Sequence, residues 1–406
     1  MTPRWPDADF AFPAAGFDCF LLWAADLGAS DVSFQTGAPA FIEIDGVLRR
    51  ATGARLDGVV MSRLCARIFD DIPPDGGIPS DGSTATVGNA PSGGTADGIL
   101  RSGKAIDCSY AVASGPRQFR RFRCNLSPVL AGQRFGINIT MRVLPDSPPT
   151  LEELGVEPEI ASAWDLCRGL TLVTGVPGSG KSTLLAAGTR RLLESGAGRV
   201  QSYEAPIEFV FDGIGCDGAL MSSSEVPRHF PSFADGLRAS LRRRPAAVVV
   251  GEARDRETVE AVVRAADFGI AVFATAHTVG VAAAIRRLLA EFPPDERHER
   301  GAALIDVMTL AVTQMLLPNP RGGRTAIREW LHFDGALKAR LLEAPPERWS
   351  VLIAEAVRET RNDLATNAER AFREGRIGEA DMRRVAAAAA GKRTDGGRGR
   401  RTEDFC

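Results

Sequence analysis

One segment constrains the fold of this chain more than any other, the glycine-rich stretch LTLVTGVPGSGKSTLL at residues 170–185. It contains the spacing G-x-x-x-x-G-K-[S/T], with Gly175, Gly180, Lys181 and Ser182 at the specified positions. An apolar run precedes the loop and a helix-forming run follows it, as a phosphate-binding loop requires. Glycines let backbone N–H groups turn towards phosphate oxygens, and the new helix points its positive end at the same anion. The segment therefore predicts a nucleotide-binding α/β domain.

The loop supplies most of the residues that we predict to bind ATP. We expect Lys181 to pair with the β- and γ-phosphates and Ser182 to hold Mg²⁺. The alternative is a glycine-rich strand-to-helix turn capped by a serine, and the complete strand–loop–helix context favours the phosphate loop. The predicted loop residues are Gly175, Pro177, Gly178, Ser179, Gly180, Lys181, Ser182 and Thr183.

Length and composition are those of a globular protein with more than one domain. The chain has 406 residues, of which 44% are hydrophobic and 25% are charged, so it can bury an adequate core. The formal net charge is -2 and the sequence pI is about 6.2, which does not indicate a globally basic surface for nucleic acid.

The sequence lacks the usual patterns of a signal peptide, a membrane span and a zinc ribbon. The N-terminal sequence MTPRWPDADFAFPAAG lacks the pattern of a signal peptide, and no stretch reaches the roughly 18 apolar residues of a membrane span. The seven cysteines form no C-x-x-C pair, so a zinc ribbon is not expected. Their odd, scattered number fits reduced thiols in a cytoplasmic protein.

Patterning along the chain predicts two domains. The N-terminal part mixes helices with alternating strands and a hairpin turn at 45–46, which favours a small α+β unit with an antiparallel sheet. Beyond a proline-rich joint, short apolar strands alternate with helices, which favours a parallel sheet covered on both faces. The predicted divisions are an N-terminal domain at 1–144 with a flexible insertion at 73–98, a linker at 145–150, an ATPase domain at 151–344, helices at 345–390 and a disordered tail at 391–406.

Acidic residues and one histidine follow the predicted strands of the ATPase domain. Glu252 follows the apolar strand of AAVVVGEARD, and a carboxylate at that end of a parallel strand faces the ligand crevice. We predict that it polarises the attacking water, although a solvated glutamate in a turn is the alternative. Glu204 and Glu208 lie in SYEAPIEF and are candidates for holding water or metal, with a surface role open for Glu208. His277 follows another strand and is a candidate for sensing the γ-phosphate, although a lone histidine is more often structural.

Arginines are concentrated in two places. In RQFRRFRCN, strand alternation puts Arg121 and Arg123 on one face with Arg117 more distant, and Arg142 lies on the following strand. Such arginines are candidates for reaching a phosphate across an interface, and a solvated face or a nucleic-acid patch is the alternative. The stretch LRASLRRRP adds a second group that we assign to the same role, with Arg238 and Arg242 as its predicted ATP-binding members.

Taken together, these motifs resemble those of the secretion and pilus-retraction ATPases, the PilT/VirB11 branch of the RecA-like motors. The resemblance covers roughly residues 20–335 and includes GVPGSGKST as Walker A, YEAPIEF as the acidic box, VVVGEARD as Walker B and FGIAVFATAHT as the histidine box. RFRCN and MRVLP resemble the end of the family's N-terminal domain, and LLPNPRGGRTAIREWL resembles the segment that closes its motor domain. The wording of the acidic box is most similar to the DotB/TraJ subgroup of type IVB secretion and plasmid conjugation.

The sequence departs from the family pattern at three positions. Ala205 replaces the usual aspartate of the acidic box, Ile270 stands where retraction ATPases often have a first histidine, and Ala246 replaces the aspartate expected after Pro245. The tetracysteine motif is missing, which argues against the extension-type pilus and type II secretion ATPases.

The resemblance implies a RecA-like P-loop ATPase domain behind a smaller, PAS-like α+β domain, with ATP and Mg²⁺ as cofactors. It also implies a homohexameric ring in which Arg121, Arg123 and Arg142 reach a nucleotide at an interface. It further implies a cytoplasmic protein, peripheral to the inner membrane, that works on a membrane-embedded secretion or conjugation apparatus. It implies no integral membrane segment and no direct nucleic-acid binding.

Three other functions remain open on the sequence. One is a pilus-retraction motor of the same fold, and another is a RecA-like motor that works on nucleic acid. The third is a nucleotide-dependent assembly factor that does not hydrolyse ATP. Glu252 argues against it, because a protein that does not hydrolyse ATP needs no catalytic glutamate.

Overall fold

The computed structural model describes residues 5, 14–44, 46–69, 87–88, 95–115, 118–145, 147–165, 168–211, 213–226 and 229–394. The chain divides into two compact units. The first contains the described residues up to Pro148 together with Ala205–Val210 and Ser224–Pro231, and the second contains Pro149–Glu204, Phe211–Ser223 and the described residues from Ser232 onward. The segments 205–210 and 224–231 thus group with the first unit, although they lie within the range predicted as a continuous ATPase domain.

The first unit is built on an antiparallel sheet of seven strands. The strand order is β3-β2-β1-β7-β6-β5-β4, and every neighbouring pair is antiparallel. Its elements are α1 (Ala14–Asp26), β1 (Asp31–Gln35), β2 (Phe41–Ile44), β3 (Val47–Arg50), α2 (Gly58–Phe69), β4 (Val87–Gly88), α3 (Ala96–Arg101), β5 (Ile106–Gly115), β6 (Gln118–Ala131) and β7 (Arg134–Val143).

Aromatic rings from α1 and β1 form the centre of this unit's core. The ring of Phe34 lies 5.5 Å from that of Phe17 and 5.7 Å from that of Phe20. Strand β1 was not among the predicted strands, because its five residues bury only Val32 and Phe34 and the alternation is too short to stand out. The hairpin predicted at 45–46 is confirmed by the pairing of Ile44 with Val47.

The end of the predicted insertion at 73–98 is not a loop. Helix α3 begins at Ala96, and the hydroxyl of Thr95 accepts a hydrogen bond from the N–H of Gly98 at 3.3 Å. Ala96 and Leu100 are buried in the core, so apolar packing and an N-cap order a segment that composition alone presented as flexible. Val87–Gly88 also pairs with β5, and the remainder of the insertion up to residue 94 lies outside the described residues.

The second unit is an α/β fold around a second sheet of seven strands. The order is β10-β9-β11-β12-β8-β13-β14, in which the strands from β9 to β13 run parallel and β14 is antiparallel at the edge. Its strands are β8 (Gly169–Thr174), β9 (Gly198–Glu204), β10 (Ala219–Glu225, whose last two residues group with the first unit), β11 (Ala247–Val250), β12 (Ala271–Ala276), β13 (Met308–Pro318) and β14 (Arg324–His332). Its helices are α4 (Pro158–Ala161), α5 (Lys181–Glu194), α6 (Phe233–Ser240), α7 (Arg256–Asp267), α8 (Val281–Ala290), α9 (Arg297–Val307), α10 (Gly335–Leu342), α11 (Pro346–Glu359), α12 (Leu364–Arg373) and α13 (Glu379–Thr394).

The central parallel strands are buried along their whole length. Every residue of β11 and β12 is buried, which explains why both read as continuous apolar runs in the sequence. Since the carboxyl ends of parallel strands meet at one edge of a sheet, the segments that follow β8, β9, β11 and β12 converge there. The fold class predicted from the sequence is confirmed for this unit.

The C-terminal helices pack closely against the rest of the second unit. Trp349 of α11 is buried, and its indole N–H donates to the carbonyl of Ala344 at 2.9 Å. Helix α12 places Leu364 and Ala368 against Ile327 of β14. Helix α13 continues to Thr394, four residues into the tail predicted to begin at 391, and the alanine run at 386–390 that precedes this end favours helix. Residues 395–406 of the predicted tail lie outside the described residues.

Candidate nucleotide-binding site

The phosphate loop connects β8 to α5 and is shaped by two glycines. Gly175 has φ +148°, and a Cβ there would collide with the backbone oxygen of Gln314 and with Oγ of Ser179. Gly180 has φ +83° and precedes the first turn of α5, which no side chain caps. The first N–H groups of that helix therefore face the loop, as an anion site requires.

Lys181 is held inside the loop by the loop's own backbone. Its Nζ donates to the carbonyl oxygens of Gly175 at 2.9 Å and Val176 at 3.1 Å, and the residue is only 7% exposed. Val176, Pro177 and Gly178 form the exposed tip of the loop. The lysine ammonium is thus already directed at the concave side of the loop.

One imidazole ring connects Lys181 with Glu252. Nδ1 of His277 lies 3.3 Å from Nζ of Lys181, and Nε2 lies 3.4 Å from Oε1 of Glu252. An ammonium group can only donate, so Nδ1 must accept and the proton of the neutral ring must be on Nε2, facing the carboxylate. The three residues follow β8, β11 and β12, and the geometry confirms that these strand ends bring them together.

Glu204 is the last residue of β9, and Glu252 follows the adjacent parallel strand β11. Val250 of β11 is paired with Tyr203 of β9, and the N–H of Gly251 donates to the carbonyl of Tyr203 at 2.7 Å. The hydroxyl of Ser202 donates to Oε1 of Glu204 at 2.7 Å, which orients that carboxylate. The side chain of Glu252 is 25% exposed, so it is open to solvent without being fully hydrated.

Several predicted site residues lie in the first unit. Nη2 of Arg121 donates to the carbonyl of Ile207 at 3.1 Å, and Nη1 of Arg123 pairs with Oε1 of Glu208 at 3.3 Å. Glu208 groups with the first unit and pairs with an arginine of that unit, and its role as a metal ligand stays a prediction. Arg142 pairs with a carboxylate of its own unit, Asp31, at 3.0 Å.

The remaining arginines lie on or just after α6. Arg238 pairs with Asp235 at 2.9 Å, and Arg242 is exposed in the turn that follows the helix. Their contact with a nucleotide stays a prediction, as it does for Arg121, Arg123 and Arg142. Arg117 lies outside the described residues.

Two buried residues next to the phosphate loop are not among the predicted site residues. Gln314 of β13 donates through Nε2 to the carbonyl of Ser179 at 2.7 Å, and Arg328 of β14 donates through Nε to Oε1 of that glutamine at 2.7 Å. They are 4% and 2% exposed. A sequence signal exists for Gln314, which is the one amide side chain in the apolar stretch LAVTQMLLP, whereas Arg328 stands among other polar residues in RTAIREWLH and has no comparable signal.

No helix among the described residues is long and apolar enough to cross a membrane.

Comparison with known proteins decides the family. The model of the family described as "Type II/IV secretion system protein" matches residues 116–318. The pilus retraction ATPase PilT of Pseudomonas aeruginosa is 32% identical over 309 residues, which cover 76% of this chain and 80% of PilT. This chain belongs to the type II/IV secretion system protein family.

Solved structures of family ATPases match most of the chain. The crystal structure of the ATPase DotB of Legionella pneumophila matches with a TM-score of 0.81 and 35% identity, covering 96% of this chain and all of the DotB chain. The structure of the pilus retraction motor PilT with bound ADP matches with a TM-score of 0.72 and 26% identity. The match covers 91% of this chain and 96% of the PilT chain. Several other curated relatives are matched over only 54–60% of their length. The enzyme class predicted from the sequence, a P-loop ATPase, is confirmed.

Proposed function

We propose that this chain is the ATP-hydrolysing motor of a type IV secretion or conjugative-transfer system, working as a ring of six copies at the cytoplasmic face of the inner membrane. The chain of contacts from Lys181 through His277 to Glu252 carries the catalytic part of this proposal. The similarity to DotB along nearly the whole chain supports the secretion role. The sequence of the acidic box, YEAPIEF, resembles that of the DotB/TraJ subgroup and supports the same role.

In this mechanism, phosphate oxygens replace the carbonyl groups that now hold Lys181. Its ammonium donates to the loop at 2.9 and 3.1 Å, and anionic oxygens are stronger acceptors than neutral carbonyls. The first-turn N–H groups of α5 add further donors at the same position. ATP binding therefore exchanges hydrogen bonds within the loop for charge-assisted hydrogen bonds to the nucleotide.

Glu252 acts as the general base. Its carboxylate takes a proton from a water as the water oxygen forms a bond to the γ-phosphorus, and the bond from that phosphorus to the β,γ-bridging oxygen breaks to release ADP. Nε2 of His277 lies 3.4 Å from Oε1 of Glu252, and this contact restricts the orientation of the carboxylate. Glu204 contributes a second carboxylate at the end of the adjacent strand, oriented by Ser202.

The residues around the loop fit Mg²⁺. Ser182 presents an exposed hydroxyl in the first turn of α5, and no group of three or more His, Cys, Asp or Glu side chains among the described residues is placed to hold a metal. A magnesium ion would therefore be held by Ser182, water and phosphate oxygens, a set of ligands that it prefers to an all-protein cage. When bound, it neutralises charge that develops on the phosphates.

The arginines of the first unit are proposed to act on the nucleotide of a neighbouring copy in the ring. Along β6, Phe122 and Cys124 are buried while Arg121 and Arg123 face the other side, as the alternation predicted. The side chain of Arg142 is 66% exposed, so its ion pair with Asp31 is a weak one that a phosphate can displace.

The experiment measures ATP hydrolysis by the wild type and by Glu252→Gln, with light scattering to follow assembly. We expect turnover in the fractions that contain hexamers, and we expect Glu252→Gln to bind ATP without turnover. Wild type that binds ATP but never hydrolyses it, in any assembly state and with membranes added, would refute the motor function. Hydrolysis that DNA stimulates in a salt-dependent manner would instead support a nucleic-acid motor.

A pilus-retraction motor is the second candidate, favoured by the 32% identity to PilT over 309 residues. Hydrolysis does not distinguish the two functions, because both use the same site. Deleting the gene in its native host does distinguish them. Loss of plasmid transfer or protein secretion with normal twitching supports the first function, and loss of twitching alone supports the second.

A further inference from the structure

The guanidinium of Arg328 is buried in the second unit and has acceptors for each of its nitrogens. Nε donates to Oε1 of Gln314 at 2.7 Å, and Nη1 donates to Oε2 of Glu157 at 2.9 Å and to the carbonyl of Gly155 at 3.1 Å. Nη2 donates to the carbonyl of Leu154 at 3.2 Å. The planar fork of an arginine can satisfy these acceptors together, whereas the single ammonium of a lysine cannot.

These contacts determine which way the amide of Gln314 points. Arg328 has only donors, so the oxygen of the amide must face it and the NH₂ group must face the other way. That NH₂ group donates to the carbonyl of Ser179 at 2.7 Å, in the middle of the phosphate loop. A Cβ on Gly180 would lie 2.9 Å from the same nitrogen, and one on Gly175 would collide with the backbone oxygen of Gln314. One glutamine therefore packs against three residues of the loop.

An arginine is a costly residue for this position if its role is only to fill space. Burial lowers the pKa of Arg328, and the nearby carboxylate of Glu157 opposes that shift. A buried ion pair seldom adds stability over well-packed apolar residues of similar volume. What an apolar residue could not do is hold the amide of Gln314 in one orientation.

We propose that Gln314 and Arg328 are positioning residues for nucleotide binding. Arg328 orients the amide of Gln314, and Gln314 holds the backbone at Ser179 so that the loop keeps its phosphate-binding shape without ATP. The inference rests on the part of the proposed function in which this loop binds the phosphates of ATP. A loop that already has its binding shape loses less conformational entropy when ATP binds. Loss of either residue therefore weakens ATP binding.

The test uses the full chain with Gln314→Leu, Arg328→Met and, as a matched control, Trp349→Phe. The control loses the hydrogen bonds of a buried indole in the same unit but at α11, so it tests for a general loss of stability. Affinity is measured by calorimetry with the slowly hydrolysed analogue ATPγS, and stability by thermal unfolding. We expect about tenfold weaker binding for both loop variants and unchanged binding for the control, even where its melting temperature falls as far. In steady-state assays KM rises about tenfold while kcat changes less than about twofold, because the lost contact serves ground state and transition state equally.

The double variant Gln314→Leu/Arg328→Met tests whether Arg328 acts through Gln314. We expect its affinity to equal that of Gln314→Leu alone, since an arginine that acts through the amide has no further effect once the amide is gone. Binding of ATPγS by Gln314→Leu within twofold of wild type would overturn the inference and leave the proposed function standing. That variant carries the test if Arg328→Met fails to fold. Wild type that does not bind ATPγS would refute the proposed function itself, and the inference with it.

Discussion

Alanine substitutions at two glycines of the phosphate loop separate backbone strain from steric collision. Gly175 and Gly178 are three residues apart and both have positive φ, at +148° and +76°. At Gly178 an added Cβ would meet nothing within 4 Å. At Gly175 it would meet the backbone oxygen of Gln314 and the Oγ of Ser179. Alanine at Gly175 therefore has a steric cost that alanine at Gly178 lacks.

The magnitudes follow from these two environments. Alanine at Gly178 adopts the left-handed region at a cost of about 1–2 kcal/mol. Alanine at Gly175 carries backbone strain of about 1–3 kcal/mol. Displacing a β13 carbonyl and a buried serine adds about 1–3 kcal/mol. We expect Gly175→Ala to lower the free energy of unfolding by about 2–6 kcal/mol, and to lose most of its ATP affinity because the displaced carbonyl belongs to Gln314.

Urea unfolding without nucleotide, followed by circular dichroism, measures the stability of both variants against wild type. Calorimetry with ATPγS then measures affinity at a temperature where each variant is folded. Equal losses of stability for Gly175→Ala and Gly178→Ala would show that the collision is relieved at no cost, and the steric account of the loop would be wrong.

Three further predictions concern other parts of the chain. His277→Ala should lower kcat about 100-fold with ATPγS affinity nearly unchanged, because the carboxylate of Glu252 loses the imidazole 3.4 Å away that restricts its orientation, whereas the exposed His298→Ala should hydrolyse ATP as wild type does. Gly188→Ala should lower the melting temperature although alanine favours helix, since its Cβ would enter the ring of the buried tryptophan that packs there; a stabilised variant would contradict this packing. Burial raises the pKa of Tyr110 and Tyr203, the two tyrosines of the chain, so the folded protein keeps protons that the unfolded chain releases above about pH 10. Stability should therefore fall as the pH rises past that value, and absorbance at 295 nm should show tyrosine ionisation only together with unfolding; ionisation of the folded protein near pH 10 would refute it.

Much of the catalytic group was predictable because its geometry is local to strand ends. The loop glycines, Lys181, Glu252 and His277 each follow an apolar run that reads as a buried strand. Parallel strands present those ends at one edge of the sheet, so pattern alone predicts that the residues meet. In the structure His277 lies 3.3 Å from Nζ of Lys181 and 3.4 Å from Oε1 of Glu252, and the catalytic roles of the three residues stay predictions.

Other features needed the folded chain. Helix α3, which begins at Ala96, depends on a threonine cap and on apolar packing. The glycine-rich composition of the segment does not indicate either of them. The grouping of 205–210 with the first unit rests on contacts with Arg121 and Arg123, some 85 residues earlier in the chain. Composition and periodicity contain no information on such partners.

The sequence by itself determined the phosphate loop, the buried parallel strands and the acidic and histidine residues that follow them, because each is a short-range pattern with one favourable conformation. Only the tertiary structure decided that Gln314 and Arg328 support the loop. Arg328 follows its partner Glu157 by 171 residues and its partner Gln314 by 14. Those three meet because the sheet places β13 beside β8 and β14 beside β13, and the order of strands depends on long-range packing rather than on any local pattern.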